Sequence, residues 1–359
     1  MPNNPSKLPR NDDEQPSAII HSEEDNMPFN TNTLPKRRSI LIGAAASAAG
    51  LLLPSWANAQ EFPGRPISFI CPWPAGGTAD QSMRAICQVA SRILKQPVVL
   101  ENRAGAAGMI GAQALANAKP DGYTIGQIPI SVTRFAQLGS FAADPRKDFT
   151  YIARTSGQTF GIAVLPGSPF KSLIEMVALA KASPGKVTYA HSGVGGATHV
   201  GMEEFAMAAG IQLNAIAYKG GAPALQDTLG GQVDMLVDSS SWAPHVEGGK
   251  LRLLATWGEQ RTPRFKNTPT LKELGFNVVV DAPNGIGAPK GLDPAVEKTL
   301  RDAFRIAVNG DEFKTVADKI DAPVMYLDGP DYLKYIQTVY DKETQLIQRL
   351  KLKELLAKG

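Results

Sequence analysis

Cysteine and histidine are scarce in this chain. Only Cys71 and Cys87, and His21, His191, His199 and His245, occur in 359 residues. So few thiols exclude a disulfide-stapled scaffold and a Cys-rich zinc module, and four histidines leave little for a His-based metal site. Charge of one sign is also lacking. Lys+Arg 37 against Asp+Glu 34 gives +3 without a basic stripe, so the balance makes no case for nucleic acid. A Gly-x-x-x-x-Gly-Lys-Ser/Thr loop, a full dinucleotide fingerprint and a Gly-x-Ser-x-Gly elbow are all missing, which weakens nucleotide binding and nucleophilic catalysis. After residue 60 no run is long and apolar enough for a membrane helix, which needs about 20 residues. What is present suits a folded protein. Apolar residues make up 43% and charged residues 20%, enough for real cores, and the length suits two domains.

The first stretch reads as an address. Lys36-Arg37-Arg38-Ser39 precedes an uncharged run, Ile40 to Leu53, and then Ala57-Asn58-Ala59-Gln60. A basic region, a short apolar region and a small-x-small site make a secretory signal peptide, with cleavage expected after Ala59. Arg37-Arg38 fits a twin-arginine signal, the alternative being an ordinary Sec signal that begins with two arginines. The polar leader before Lys36 is unusual, and Met27 is an alternative start to Met1. Residues 1–59 carry five basic and six acidic residues, so removing them moves the charge from +3 to +4. An exported, periplasmic protein is expected.

The remainder alternates strands and helices. Strands are expected at Pro66–Cys71, Val98–Glu101, Tyr123–Ile128, Tyr151–Ala153, Phe160–Leu165, Val187–Ala190, Leu213–Tyr218, Val233–Val237 and Leu251–Thr256. Helices are expected at Asp80–Leu94, after the capping box Ser172 to Glu175, at Ala197–Ala209 and Ala222–Leu229, from Asp293-Pro294 to Asn309, and from Asp328 onward. Gly105, Gly108 and Gly111 recur at helical spacing and predict a flat packing face. Repeated βα units predict an α/β fold of two mostly parallel sheets covered by helices. Cys71 ends a strand and Cys87 lies mid-helix in the next element. Two separate buried thiols are expected, a bridge being the alternative in an oxidising compartment.

Ligands of open α/β sheets bind beyond the carboxyl ends of strands. Three glycine-rich stretches fall there, each opening a helix: Pro72 to Asp80, His191 to His199, and Tyr218 to Pro223. Glycines let backbone N–H groups approach a ligand, and a helix N-terminus carries about half a positive charge. Such loops hold an anion, most simply a carboxylate, or else they only make tight turns. Thr78, Ser192 and Thr198 add hydroxyl donors. Asp80 lies in a first helical turn, where it caps the helix or pairs with a ligand ammonium. His199 donates to a ligand or packs against a turn. Lys219 is a cleft cation or a solvated loop lysine. Asp238 ends a strand before Ser239-Ser240-Ser241 and can orient hydroxyls.

These residues carry a resemblance. Arg65-Pro66-Ile67, Pro74-Ala75-Gly76-Gly77 with Asp80 and Arg84, Val99 to Arg103, Gly105-Ala106-Ala107-Gly108 and Pro120 to Thr124 resemble the opening of the Bug family. These are the extracytoplasmic solute receptors of tripartite tricarboxylate transporters. Asp148-Phe149, Ser183-Pro184-Gly185-Lys186, Tyr218-Lys219-Gly220, Gly230 to Asp234, Gly249 to Arg252 and Glu273-Leu274-Gly275 continue it in order. The resemblance implies a two-domain, type II periplasmic binding protein fold that closes like a flytrap, each domain a mainly parallel sheet flanked by helices. It places domain 1 at residues 60–162 plus 284–359 and domain 2 at 163–283, and sets the loops Ala75–Asp80 and Ser192–His199 facing each other. The implied function is capture of a small carboxylate for membrane components of the transporter, by a monomer without cofactor, metal or catalysis. An exported sensor without transport and an exported α/β enzyme are the alternatives. Candidate ligand-binding residues are Ala75, Gly76, Gly77, Thr78, Asp80, Ser131, Phe160, Ser192, Gly195, Gly196, Ala197, Thr198, His199, Tyr218, Lys219, Gly220 and Asp238. Two departures stand out. Residues 282–286 lack the aromatic usual before the returning strand, and Ile130 to Arg134 is atypical, with Arg134 adding positive charge near the cleft.

Overall fold

Strand β1 (Ile67–Cys71) sends Ile67 and Phe69 into one apolar cluster and Ile70 into another, as a period of two requires. The same alternation repeats along the chain and builds two sheets, each with a core on both faces. The computed structural model describes residues 62–280 and 282–357; the leader, its cleavage position and the choice of start lie outside the described residues. After β1 come α1 (Thr78–Leu94), β2 (Val98–Asn102), α2 (Met109–Ala116), β3 (Thr124–Gln127), α3 (Val132–Gln137) and β4 (Phe149–Ser156). The chain then enters β5 (Phe160–Val164), α4 (Leu173–Ala182), β6 (Thr188–His191), α5 (Ala197–Ala209), β7 (Asn214–Ala217), α6 (Gly221–Leu229), β8 (Met235–Ser239), α7 (Ala243–Glu247) and β9 (Arg252–Thr256). It returns through β10 (Asn284–Pro289), α8 (Pro294–Asn309), α9 (Asp311–Lys319), β11 (Val324–Asp328), α10 (Gly329–Arg349) and α11 (Leu352–Leu356).

The first sheet has the order β11-β4-β10-β3-β1-β2 and the second β7-β6-β8-β5-β9. The α/β class and the two helix-covered sheets are those the sequence predicts. Most strands of each sheet run one way, and the antiparallel members are β10 and β11 in the first sheet and β5 in the second. β1 runs parallel to β2 and β3, and β6 to β7 and β8. β10 opposes β3 and β4, β11 opposes β4, and β5 opposes β8 and β9. Parallel pairs need a helical crossover between strands. β4 and β9 run with the parallel strands and lead out of their sheets, whereas β5 and β10, by which the chain enters each sheet from the other, run in the opposite direction.

Met83, Ile86 and Phe304 are fully buried between the first sheet and its helices α1 and α8. Burying side chains of this kind contributes roughly 1.5–3 kcal/mol each. Met109, Val132, Tyr332 and Ile336 cover the opposite face from α2, α3 and α10. In the second sheet Met202, Phe205 and Trp257 fill one side and Leu225, Trp242 and Ala243 the other. The predicted helix starts are capped as read: Ser172 Oγ accepts from Glu175 N–H at 3.2 Å, and Asp293 accepts from Ala295 and Val296 N–H. The glycine face is a correction. Gly105 (φ 132) and Gly108 (φ 91) precede α2 in a backbone open mainly to glycine, and only Gly111 lies in the helix. Cys71 and Cys87 lie separately buried and unbridged, and burial pushes the Cys71 thiol up to about 12.

The long C-terminal helix α10 packs on β4 and α3. It also reaches the second sheet's lobe, where Arg349 pairs with Glu204 of α5. Nearby, Arg134 of α3 forms a bidentate pair with Glu343 at 2.6 and 2.8 Å, and donates to the Gly195 carbonyl at 2.8 Å. Both partners of the Arg134–Glu343 pair are almost fully buried. Removing one partner of such a pair strands a charge, whereas replacing both can be near neutral. Arg134→Leu should therefore destabilise by about 3–5 kcal/mol in urea denaturation, and Arg134→Leu with Glu343→Leu should recover most of that loss. A single variant as stable as the unaltered protein would show that the pair is not buried in solution.

Candidate functional site

The ends of β1 and β6 each release a glycine-rich turn into a helix. Both helices begin on a glycine, Gly77 for α1 and Gly196 for α5, and neither start has a side-chain cap. This contrasts with the capped starts of α4 and α8. Among the described residues, no acceptor pairs with the backbone N–H groups of Gly77, Thr78 and Ala79, or of Ala197 and Thr198. All of these residues line a single cavity between the two lobes. The cavity measures about 60 Å³ by the centres of water-sized spheres. At roughly 10–15 Å³ per water, that holds a few waters or a small organic head group. The Thr78 hydroxyl is buried and has no hydrogen-bond partner among the described residues. Buried polar groups ordinarily find partners, so these donors await an acceptor.

Two close approaches bring the turns together. Gly193 (φ 144) lies against Ala107, where a Cβ would fall 3.1 Å from its backbone. Gly220 (φ 120) lies against the Pro74 ring with no room for a side chain. The turn before α5 is braced from behind. Ser192 N–H donates to Thr198 Oγ1 at 3.1 Å, Gly193 N–H to His191 Nδ1 at 3.3 Å, and Gly195 N–H to His199 Nδ1 at 3.1 Å. The His191 and His199 rings stack at 4.5 Å and 15°.

Of the candidate residues, the structure brings Gly77, Thr78, Ser131, Phe160, Ser192, Ala197, Thr198 and Asp238 to the cavity wall. The others stand off it. Asp80 holds the first turn: it accepts from Gly76 N–H at 3.0 Å, Asn102 Nδ2 at 2.8 Å and Arg84 at 2.7 Å. Burial works to raise its pKa, but these three donors outweigh it and keep the carboxyl below the ordinary range. Asp80 thus braces the turn ahead of the helix, and its Arg84 partner leaves the carboxylate ion-paired within the chain. Ala75 and Gly76 shape the same turn, and Gly195, Gly196 and His199 shape the second from behind. In the third stretch Tyr218 Oη donates to Asp227 at 2.7 Å, Gly220 meets Pro74, and neither Tyr218, Lys219 nor Gly220 lines the cavity.

Several lining residues were not among the candidates, although Trp73 falls within the first of the three glycine-rich stretches. Trp73, Pro129 and Ile130 complete the apolar wall, and Gln127 and Gln158 contribute amides. Gln127 ends β3, so the carboxyl-end rule that singled out the three turns applies equally to it. Both glutamines donate to Asn284 Oδ1, at 2.8 and 2.6 Å, while Asn284 Nδ2 donates to Ser156 Oγ at 3.0 Å. Among the described residues, no cluster of three His, Cys, Asp or Glu side chains can hold a metal, and no helix is long and apolar enough to cross a membrane.

Comparison with known proteins places this arrangement. Residues 82–352 match the family described as tripartite tricarboxylate transporter family receptor. The chain belongs to that receptor family. A Cupriavidus necator relative, the UPF0065 protein in gbd 5'region, is 42% identical over 312 residues, covering 87% of this chain and 95% of that protein. The solved structure of R. palustris Rpa4515 with adipate superposes with a TM-score of 0.76 at 25% identity, covering 81% of this chain and 98% of that one. MatC from Rhodopseudomonas palustris with bound malate gives 0.74 at 25% identity, covering 80% and 100%.

Within this receptor, both atypical segments have a structural role. The segment lacking an aromatic is built on Asn284, whose amide ties β3, β4 and the passage at Gln158 together behind the cavity. Arg134 does not line the cavity; its charge is held by Glu343 and the Gly195 carbonyl. The histidine pair is similarly internal. Burial and the neighbouring His199 lower the His191 pKa to about 3, and burial and Arg134 lower that of His199 to about 4. In the unfolded chain both take up protons near 6.5. Stability is then full above that value and falls as pH drops toward 4, by up to about 1.4 kcal/mol per pH unit for each histidine. Asp238, raised by burial to about 6 from 3.8, works in the opposite direction over part of that window. Replacing the pair by His191→Asn and His199→Asn keeps an acceptor for each turn N–H and leaves Asp238 in place. Urea midpoints between pH 7 and 4 should fall more steeply for the unaltered protein than for this double variant. Parallel curves would show that the histidines are already protonated in the folded state.

Proposed function

We propose that this chain is an exported, periplasmic solute-binding receptor that captures a small carboxylate between its two lobes. It passes the ligand to membrane components of a tripartite tricarboxylate transporter and catalyses nothing itself. The observation that carries this reading is the pair of uncapped helix starts whose unpaired N–H groups face one cavity. A carboxylate placed there accepts from both lobes at once and supplies the cap that neither helix has. The malate and adipate of the related structures are ligands of that kind. The signal pattern ending at Ala59 supports export. The sheet memberships support two domains joined by the passages beside β4–β5 and β9–β10, with the expected boundary at 162 moved back to the stretch between Ser156 and Phe160, because β5 pairs with β8 and β9 from Phe160 onward, while the expected return at 284 coincides with the start of β10. Ligand contact falls to the cavity-lining candidates Gly77, Thr78, Ser131, Phe160, Ser192, Ala197, Thr198 and Asp238. Residues Ala75, Gly76, Asp80, Gly195, Gly196 and His199 hold the two turns in shape.

The test is calorimetric titration with mono-, di- and tricarboxylates and their uncharged amides. Acids should bind and amides should not. Thr78→Val removes the unpartnered hydroxyl while keeping its shape. A hydrogen bond to a charged group is worth about 1.5–3 kcal/mol, so the best acid should bind that variant roughly ten- to hundredfold more weakly. Gly77→Leu fits the backbone at φ −72 and should abolish binding by filling the cavity. Equal affinity for acids and amides would overturn the reading.

A further inference from the structure

The cavity that attracts an anion also contains one. Asp238, at the end of β8, is the one ionisable side chain among the described lining residues, and it is almost wholly buried. Its carboxylate accepts from the Ser241 hydroxyl and from Ser239 N–H, and lies close against Gly221 at the start of α6. A carboxylate offers about four acceptor positions, so two partners leave capacity for more. A side chain at position 221 would strike the carboxylate, and Gly221 itself lines the cavity. No lysine or arginine among the described residues lines the cavity to offset the charge. A ligand bearing only carboxylates meets repulsion from Asp238 in a site of low dielectric. A ligand with an O–H or N–H donor on its carbon chain meets an acceptor.

Resting on the carboxylate reading above, we propose that Asp238 is a specificity-determining residue, selecting carboxylates whose carbon chain carries a hydroxyl or ammonium donor. Hydroxy acids and amino acids are then the ligand class, and plain dicarboxylates of the same length are rejected.

Matched series test this without any variant: succinate, malate and aspartate, and glutarate, 2-hydroxyglutarate and glutamate, titrated into the intact mature protein. In at least one series the hydroxy or amino acid should bind at least tenfold more tightly than the plain acid. The stronger of the two names the donor as hydroxyl or ammonium. Asp238→Asn should shrink that gap to about threefold or less by strengthening the plain acid, with folding checked by its thermal transition. Plain acids binding within threefold of both partners in each series would overturn the proposal while leaving the carboxylate reading intact. If the gap persists unchanged in Asp238→Asn, a different residue sets it and the proposal falls. Failure of every acid to bind would overturn both.

Discussion

Unpaired backbone N–H groups at the starts of α1 and α5, set against one small cavity, are the constraint on which the rest of this structure depends. A buried N–H without a partner is costly, and a protein ordinarily removes the cost with a capping side chain. Here glycines occupy both cap positions, so the cost stands until something enters. The surrounding features serve that situation. The turn N–H groups that could compete for a ligand are engaged elsewhere: Ser192 by Thr198, Gly193 by His191, Gly195 by His199. The walls of Trp73, Phe160, Pro129 and Ile130 are apolar and lower the local dielectric, which strengthens whatever electrostatic contact is made.

Much of this was legible in local sequence because its causes are local. Alternating apolar residues, the caps at Ser172 and Asp293, and glycine runs at strand ends each act within a few residues. They marked the βα units, and the first two turns, whose residues line the cavity. The third turn had the same local signal, yet only Gly221 of it reaches the cavity. Its position is decided by contact with Pro74, far away in sequence, and no local pattern encodes that. The antiparallel pairings were less legible for a similar reason: β5 and β10 are the strands by which the chain enters one sheet from the other, and β11 joins the first sheet's edge against β4, contacts that no local pattern encodes.

The residues that connect distant segments were the least legible. Asn284 joins Gln127 across 157 positions and Arg134 joins Glu343 across 209. Each looked like a departure from a familiar pattern. In the structure each is an internal tie: Asn284 sits where two chain passages run side by side, and Arg134 where the first lobe meets the Gly195 carbonyl of the second. A buried arginine that holds both a carboxylate and a carbonyl across lobes makes the position of the α5 turn sensitive to the C-terminal helix. The end of the chain, remote from the cavity in sequence, is thereby mechanically part of its wall.

Trp73 gives the molecule a property unrelated to affinity. The described residues hold three tryptophans, and Trp242 and Trp257 are fully buried in the second lobe's cores. Trp73 alone of these forms part of the cavity wall. A solute held there as proposed above would change the surroundings of this indole, so tryptophan emission offers a reading of occupancy that needs neither a dye nor a tag.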